Sequence, residues 1–277
     1  MTAATAAAWG AVMWRLSGAY ARMQPGSTAW RRAVLPPLAR PGELAGRLAR
    51  LLTRPHEERT AYWLCATMLK RDHNLRMRSW PSLAVVFAAL ALGWFTGQLA
   101  DPLASPGHEC VLSLACVYLL AVPIPTIFHN LRFSRNHTAA WVLRTAPIAD
   151  AAAFAEGLRK AVTYRILVPV LLVLLVAFAL AWRDPLDVLV HVAVGWLVVL
   201  GAGYASAMGI LRSVPFSAPL ARGESFGPIA LFAGSVSGVA VFLAVVHYHV
   251  LRSLPGLVAY LAGLVVLVLV LRELARR

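Results

Sequence analysis

Charged residues are scarce in this chain. Aspartate, glutamate, lysine and arginine make up 14% of its 277 residues, whereas a soluble domain carries about a quarter. Hydrophobic residues make up 60%, and the mean hydropathy is +0.68. This balance excludes an ordinary soluble globular domain and predicts a protein with several membrane spans.

Cysteines and catalytic motifs are scarce as well. The three cysteines, Cys65, Cys110 and Cys116, form no CxxC or Cys/His metal spacing, so we expect neither a disulfide framework nor a metal site. The sequence contains no GxSxG, HExxH or P-loop motif. We therefore expect no catalytic residues and no cofactor on this chain, and ATP for any driven step would bind to another chain.

Six apolar runs follow a polar beginning, and each is close to the roughly 20 residues that a bilayer requires. They cover residues 80–99, 110–128, 162–182, 186–211, 226–247 and 254–271. The sequence thus predicts an all-α polytopic membrane protein, with a six-helix domain over residues 79–277. Pro123, Pro125 and Pro169 lie inside runs, where prolines predict kinks rather than breaks.

Residues 1–78 contain no run long enough to span, and they hold two amphipathic stretches, 42–53 and 57–72. One interpretation is a solvated helical lead-in on the cytoplasmic side. The other is a pair of helices in the membrane interface, with their apolar faces in lipid and their arginines among headgroups. The sequence leaves both open.

Lysine and arginine fall almost entirely on one side of the predicted spans. Segments 1–78, 129–161, 212–225 and 272–277 hold thirteen, five, two and three of these 26 residues, and the alternate loops hold two. The positive-inside rule then predicts that both termini lie in the cytoplasm. It also accounts for the net charge of +14 without nucleic acid, because the charge faces the anionic lipid bilayer.

The polar interval over residues 129–160, here called the elbow, joins the second and third runs. Pro147 predicts that a helix ends near Thr145, and Asp150 is suited to cap a helix that continues into the third run. The elbow also carries the apolar side chains Trp141, Leu143 and Ile148 and the charged side chains Arg135, Arg144 and Arg159. It is either an interfacial helix with Trp141 as a lipid anchor or a docking helix for a partner.

Few ionisable residues lie within the runs. Asp187 and His191, one turn apart in the fourth run, form either an interfacial pair near the outer face or a polar point on a substrate path. His247 and His249 cannot share a helical face. We expect both of them at the interface rather than on a metal ion.

Small residues and an inner loop complete the pattern. The fourth and fifth runs are rich in glycine, including Gly234 and Gly238 in a GxxxG motif. Tight packing within the bundle is the expected role, and a dimerisation face is the alternative. Phe216, in the loop between these runs, is expected to be exposed.

The run AAWVLRTAPI, residues 139–148, resembles the cytoplasmic coupling region of bacterial ABC-2 type transporter permeases. LKRDHNLRMRSWPSL, residues 69–83, and VPFSAPLARGES, residues 214–225, are similar to their first-span entry and to an inner loop. The resemblance covers roughly residues 60–277 and implies the permease subunit of an ABC exporter. Such a subunit pairs with a second copy or a paralogue, and a separate ATPase subunit drives it. Some members are about twice as long, and this chain would then correspond to the C-terminal half.

Carried over by position, the resemblance implies an ATPase-docking set in the elbow: Trp141, Leu143, Arg144, Ala146, Pro147 and Ile148. Two other functions stay open at this stage. One is a membrane scaffold that recruits a soluble partner without transport. The other is a lipid-acting enzyme, which would need His191, Asp187 or the outer histidines His247 and His249 in a cleft that faces the interface.

Overall fold

The computed structural model describes residues 53, 56–104, 110–134, 137–145, 148, 150–210, 214–219, 227–250 and 253–276. Nearly all of the lead-in before residue 56 lies outside the described residues, and of the stretch 42–53 only Thr53 is described. Throughout the described ranges the regular structure is helical, and the β-type contact is one isolated parallel bridge between Phe133 and Ala218.

Ten α-helices follow one another in the described ranges. They are α1 (His56–Arg71), α2 (His73–Thr96), α3 (Val111–Tyr118), α4 (Pro123–Asn130), α5 (Trp141–Thr145), α6 (Ala151–Val162), α7 (Val168–Ala181), α8 (Pro185–Ile210), α9 (Gly227–Val250) and α10 (Leu254–Leu274). Short 3-10 segments cover Leu119–Ala121 and His137–Ala140, and a π-helical segment covers Thr163–Leu167.

Six helical stretches are long and apolar enough to cross a membrane, which confirms the predicted all-helical, multi-pass class. They are His73–Thr96, Val111–Asn130, Ala151–Ala181, Pro185–Met208, Ala230–Val250 and Leu254–Leu274. The first begins seven residues before the predicted start at residue 80, because Asp72 caps it by accepting hydrogen bonds from the Asn74 and Leu75 amides. The helix therefore runs across the predicted boundary at residue 78.

Two spans change helical pitch near their prolines and continue past them, as the absence of breaks in the prediction requires; the kinks stay a prediction. In the second span the chain tightens into the 3-10 segment Leu119–Ala121, and Pro123 then opens α4. In the third span the π-helical segment Thr163–Leu167 precedes Pro169. A proline lacks an amide proton and crowds the preceding turn, and a local change of helical pitch accommodates both effects.

The second span and α8 are the most buried of the six, and α9 is the most exposed. Helix α8 contacts α3, α4, α6, α7, α9 and α10. Exposed apolar side chains cover the outer helices, for example Phe95, Leu180, Leu231 and Phe242. This distribution suits a bundle whose surrounding solvent is lipid rather than water.

Helix α1 packs against α6 over the most extensive contact between any two described helices. Its apolar face, with Ala61, Tyr62, Cys65 and Leu69, is buried. Within α1, therefore, protein covers the apolar face that one interpretation of the sequence placed in lipid. Burial also raises the pKa of the Cys65 thiol, so this cysteine should react slowly with alkylating reagents.

Gly157 allows this close approach. A Cβ atom at Gly157 would lie 2.1 Å from the Glu58 carbonyl oxygen and 2.8 Å from the Ala61 Cβ. Beside it, the Lys160 Nζ lies 2.6 Å from the Glu58 Oε1, and both side chains are largely buried. A buried ion pair of this kind strongly penalises the loss of either partner.

Replacing Gly157 by alanine should separate α1 from α6, because the backbone of α1 cannot move aside cheaply. Overpacking of this kind costs about 1–3 kcal/mol. In a Cys110→Ala, Cys116→Ala background, Gly157→Ala should accelerate maleimide labelling of Cys65 several-fold. Gly238→Ala is the matched control, since no described atom lies within 4 Å of its Cβ position. Equal labelling rates in the two variants would contradict the packing described.

Candidate functional site

The elbow presents one large exposed aromatic side chain on a short helix. The chain forms a 3-10 turn over His137–Ala140 and continues directly into α5, Trp141–Thr145. The Trp141 side chain is 63% exposed. The helix ends at Thr145, and α6 begins after Asp150, whose carboxylate accepts a hydrogen bond from the Ala153 amide at 2.9 Å. Both helix boundaries agree with the sequence prediction.

The other predicted docking residues are only partly described. Leu143 and Ile148 are half-buried and pack against the main hydrophobic core. Ala146, Pro147 and the Arg144 side chain lie outside the described residues. Trp141 is therefore the described member of the set that projects outward, while Leu143 and Ile148 fasten the segment to the bundle.

A backbone clamp holds the beginning of the elbow. The Phe216 amide donates to the Leu131 carbonyl at 2.7 Å, and the Ala218 amide donates to the Arg132 carbonyl at 2.9 Å. In return, the Ser134 amide donates to the Ala218 carbonyl at 3.1 Å. This clamp, residues 131–134 with 214–219, ties the end of the second span to the segment between α8 and α9.

Phe216 anchors the clamp, and the expectation that it is exposed is wrong. Its side chain is 5% exposed and belongs to the main core. Its backbone has a φ angle of +58°, which residues other than glycine seldom adopt. The burial of a whole aromatic ring offsets that conformational cost.

Arg159, one of the charged side chains of the elbow, is buried. It is 4% exposed, and its Nε and Nη2 atoms donate to the Glu156 carboxylate at 2.8 and 2.6 Å. Its Cζ lies 4.2 Å from the centre of the Tyr204 ring of α8. The guanidinium therefore joins α6 to α8 through an ion pair and a cation–π contact.

Asp187 and His191 lie together but do not form the pair that their spacing suggested. The His191 Nδ1 lies 2.8 Å from the main-chain carbonyl of Asp187, not from its carboxylate. The carboxyl groups of Asp101 and Asp184 face that of Asp187, which is half-buried. His191 itself is completely buried, and the interfacial position and the substrate path both stay predictions.

His247 is completely buried too, inside the bundle. Its ring stacks on that of His191 with centroids 5.2 Å apart. Its Nδ1 lies 3.0 Å from the Tyr118 hydroxyl, which in turn lies 2.5 Å from the Tyr260 hydroxyl. His249, two residues on, is exposed, as the difference in helical face requires.

These four side chains, His191, His247, Tyr118 and Tyr260, form the polar cluster of the bundle interior. Each comes from a different span: α8, α9, α3 and α10. No sequence spacing links them, so the sequence gives no signal for the cluster beyond the presence of ionisable residues in apolar runs. Among the described residues, no group of three or more metal-ligating side chains occurs.

Removal of the Phe216 ring should release the clamp. Truncation of a buried phenylalanine costs about 3–5 kcal/mol, and here the loss falls on the hydrogen bonds that hold residues 131–134. Phe216→Ala should therefore speed hydrogen exchange of the Ser134 and Ala218 amides at least tenfold. Phe95→Ala, at an 80% exposed ring, is the control and should leave both rates unchanged. Unchanged exchange in Phe216→Ala would show that the ring does not hold the clamp.

Comparison with known proteins adds no relative to this description. No family model, curated protein or solved structure matches this chain.

Proposed function

We propose that the chain is the transmembrane permease subunit of an ATP-driven ABC exporter, and that a separate ATPase subunit docks on the elbow. The observation that carries the proposal is the exposure of Trp141 on a short helix that is fastened on both sides. An aromatic side chain held in this way is the type of residue that dominates binding at protein interfaces.

The distribution of basic residues supports a cytoplasmic position for the elbow. Twenty-three of the 26 lysines and arginines lie in the segments on its side of the spans. The positive-inside rule places that side in the cytoplasm, where ATP is available. The proposed location is a bacterial inner membrane with both termini in the cytoplasm.

The contacts of the elbow offer a route for mechanical coupling. Before Trp141, the clamp joins the second span to the segment that precedes α9. After Trp141, α6 continues through the π-helical segment into α7, so the third span responds to any displacement of the elbow. Movement of a docked ATPase would tilt these spans, and the proline-containing turns are the points where they would bend.

Helix α9 provides a surface for a second permease copy or a paralogue. No described atom lies within 4 Å of a Cβ placed at Gly234 or Gly238. The glycines of α8 differ, since a Cβ at Gly195 would lie 3.2 Å from the Leu171 side chain. Glycine therefore serves internal packing in α8, whereas the GxxxG face of α9 is open to a neighbouring helix.

The lipid-enzyme hypothesis receives no support from the geometry, because His191 is enclosed by the bundle rather than set in an interface-facing cleft. A scaffold that recruits a soluble partner uses the same exposed Trp141. The two proposals differ in the chemistry of the partner, and that difference decides the test.

Trp141→Ala should weaken ATPase binding by about 30-fold, the equivalent of the roughly 2 kcal/mol that defines an interface hot spot. The measurement is affinity purification from the source organism's membranes in mild detergent, with bound chains identified by mass spectrometry. We expect a chain with the motif GxxxxGK[ST], retained by the wild type and by the control Trp94→Ala but lost in Trp141→Ala.

Two results would overturn the proposal. One is a partner without a nucleotide-binding motif that depends on Trp141, which would establish the scaffold. The other is a nucleotide-binding chain that is retained equally by Trp141→Ala, which would move the docking site away from the elbow.

A further inference from the structure

The hydrogen bonds of the interior cluster determine where its protons lie. The Tyr260 hydroxyl donates to the Leu243 carbonyl at 3.1 Å, and that carbonyl can only accept. Because the Tyr260 hydroxyl proton is already donated to this carbonyl, the Tyr260 oxygen must accept the hydrogen bond from the Tyr118 hydroxyl. Tyr118 must then accept from the His247 Nδ1. This assignment gives each of the three contacts one proton, and no other does so.

The same reasoning applies to His191. Its Nδ1 contacts the Asp187 main-chain carbonyl, which has no proton to give, so the Nδ1 must donate. Both histidines are thereby held as the Nδ1–H tautomer. A neutral imidazole with its proton on Nδ1 carries an unprotonated Nε2 that can only accept.

Both Nε2 atoms are buried and lack a hydrogen-bond partner among the described residues. Two unsatisfied acceptors on stacked rings with centroids 5.2 Å apart are unusual, since buried polar atoms nearly always find partners. What both atoms require is a proton or a proton donor.

We infer that the Nε2 atoms of His191 and His247 form a proton-binding site inside the bundle that holds one proton per pair. A second proton is excluded because two positive charges about 5 Å apart in a poorly solvated interior repel strongly. The proton enters from water and returns to it, and no other bond changes. The inference does not depend on the elbow or on any ATPase.

The side chains around the two histidines favour entry of the proton from the end of the bundle that carries the turn between α7 and α8. Asp187 is half-buried there and lies one turn from His191, and the carboxyl groups of Asp101 and Asp184 face it. From the other two helices of the cluster, α3 and α10, the titratable groups that face the histidines are Tyr118 and Tyr260. The acidic groups thus lie on the outside of the pair, and the phenols close its interior side.

The test is ¹⁵N nuclear magnetic resonance of the full-length protein, labelled with ¹⁵N-histidine and reconstituted in lipid vesicles. At neutral pH, His191 and His247 should both show a protonated Nδ1 and a bare Nε2. On acidification, the imidazolium signals of the two residues should sum to one proton per pair. An Nε2–H tautomer at either residue, or no proton uptake in the acidic range where the protein stays folded, would overturn the inference.

Asparagine variants test the sharing of the proton. An asparagine amide can replace the Nδ1 donor but provides no counterpart of Nε2, so His191→Asn and His247→Asn keep the local hydrogen bond and remove the acceptor. In each variant the remaining histidine should take up a full proton by itself, whereas in the wild type the two residues together take up one. His249→Asn, at an exposed position of the same helix, should change nothing. If the remaining histidine of either variant takes up no more proton than it does in the wild type, the two histidines are independent and a shared site is refuted.

Tyr118→Phe tests the tautomer assignment separately. Loss of the Tyr118 oxygen removes the acceptor of the His247 Nδ1–H, so His247 should show a mixture of both tautomers while His191 keeps its Nδ1–H form. If Tyr118→Phe leaves the His247 tautomer unchanged, the proposed proton order is incorrect.

Discussion

The contact between α1 and α6 is the constraint on which the arrangement of this protein depends. It joins a helix outside the spans to the beginning of the third span, through the Glu58–Lys160 ion pair and the close approach at Gly157. Because α6 continues into α7, whatever holds α1 also sets the direction of the third span. Arg159, one residue before Lys160, extends the same contact to Tyr204 in α8. Each buried charge depends on its partner, because removal of one member of a pair would leave the other unpaired in a poorly solvated place.

The features that the sequence predicted are those with local causes. Runs of apolar residues long enough for a bilayer predicted the six helices, and the Asp150 cap and the end of α5 at Thr145 follow from the preferences of single residues. The start of the first span was misplaced because hydropathy does not register the Asp72 cap. The prediction for Phe216 was wrong for a different reason. Phe216 lies in a loop between two runs of the sequence, and only packing against distant segments buries it.

The histidine cluster could not have been predicted from spacing. His191 and His247 lie on different helices, and the tyrosines that orient the cluster come from two more. In sequence, each histidine is one polar residue near the end of an apolar run, which ordinarily indicates the membrane interface, and each tyrosine is a single residue inside a run. The glycines show the same limit: Gly195 and Gly238 occupy similar sequence contexts, but within the described part of the chain a Cβ atom would meet a neighbouring side chain at Gly195 and none within 4 Å at Gly238. Which face of a span is buried is a property of the assembled bundle.

The central claim is that the elbow, with Trp141 projecting from it, lies on the cytoplasmic side of the membrane. The most direct measurement is labelling of single cysteines by a membrane-impermeant maleimide in oriented vesicles, in a background without Cys65, Cys110 and Cys116. Trp141→Cys should react in inside-out vesicles and stay unlabelled in right-side-out vesicles, whereas Ser253→Cys, exposed at the opposite end of the bundle, should show the reverse. Labelling of position 141 from the outside would contradict the orientation, and with it the engagement of a cytoplasmic ATPase.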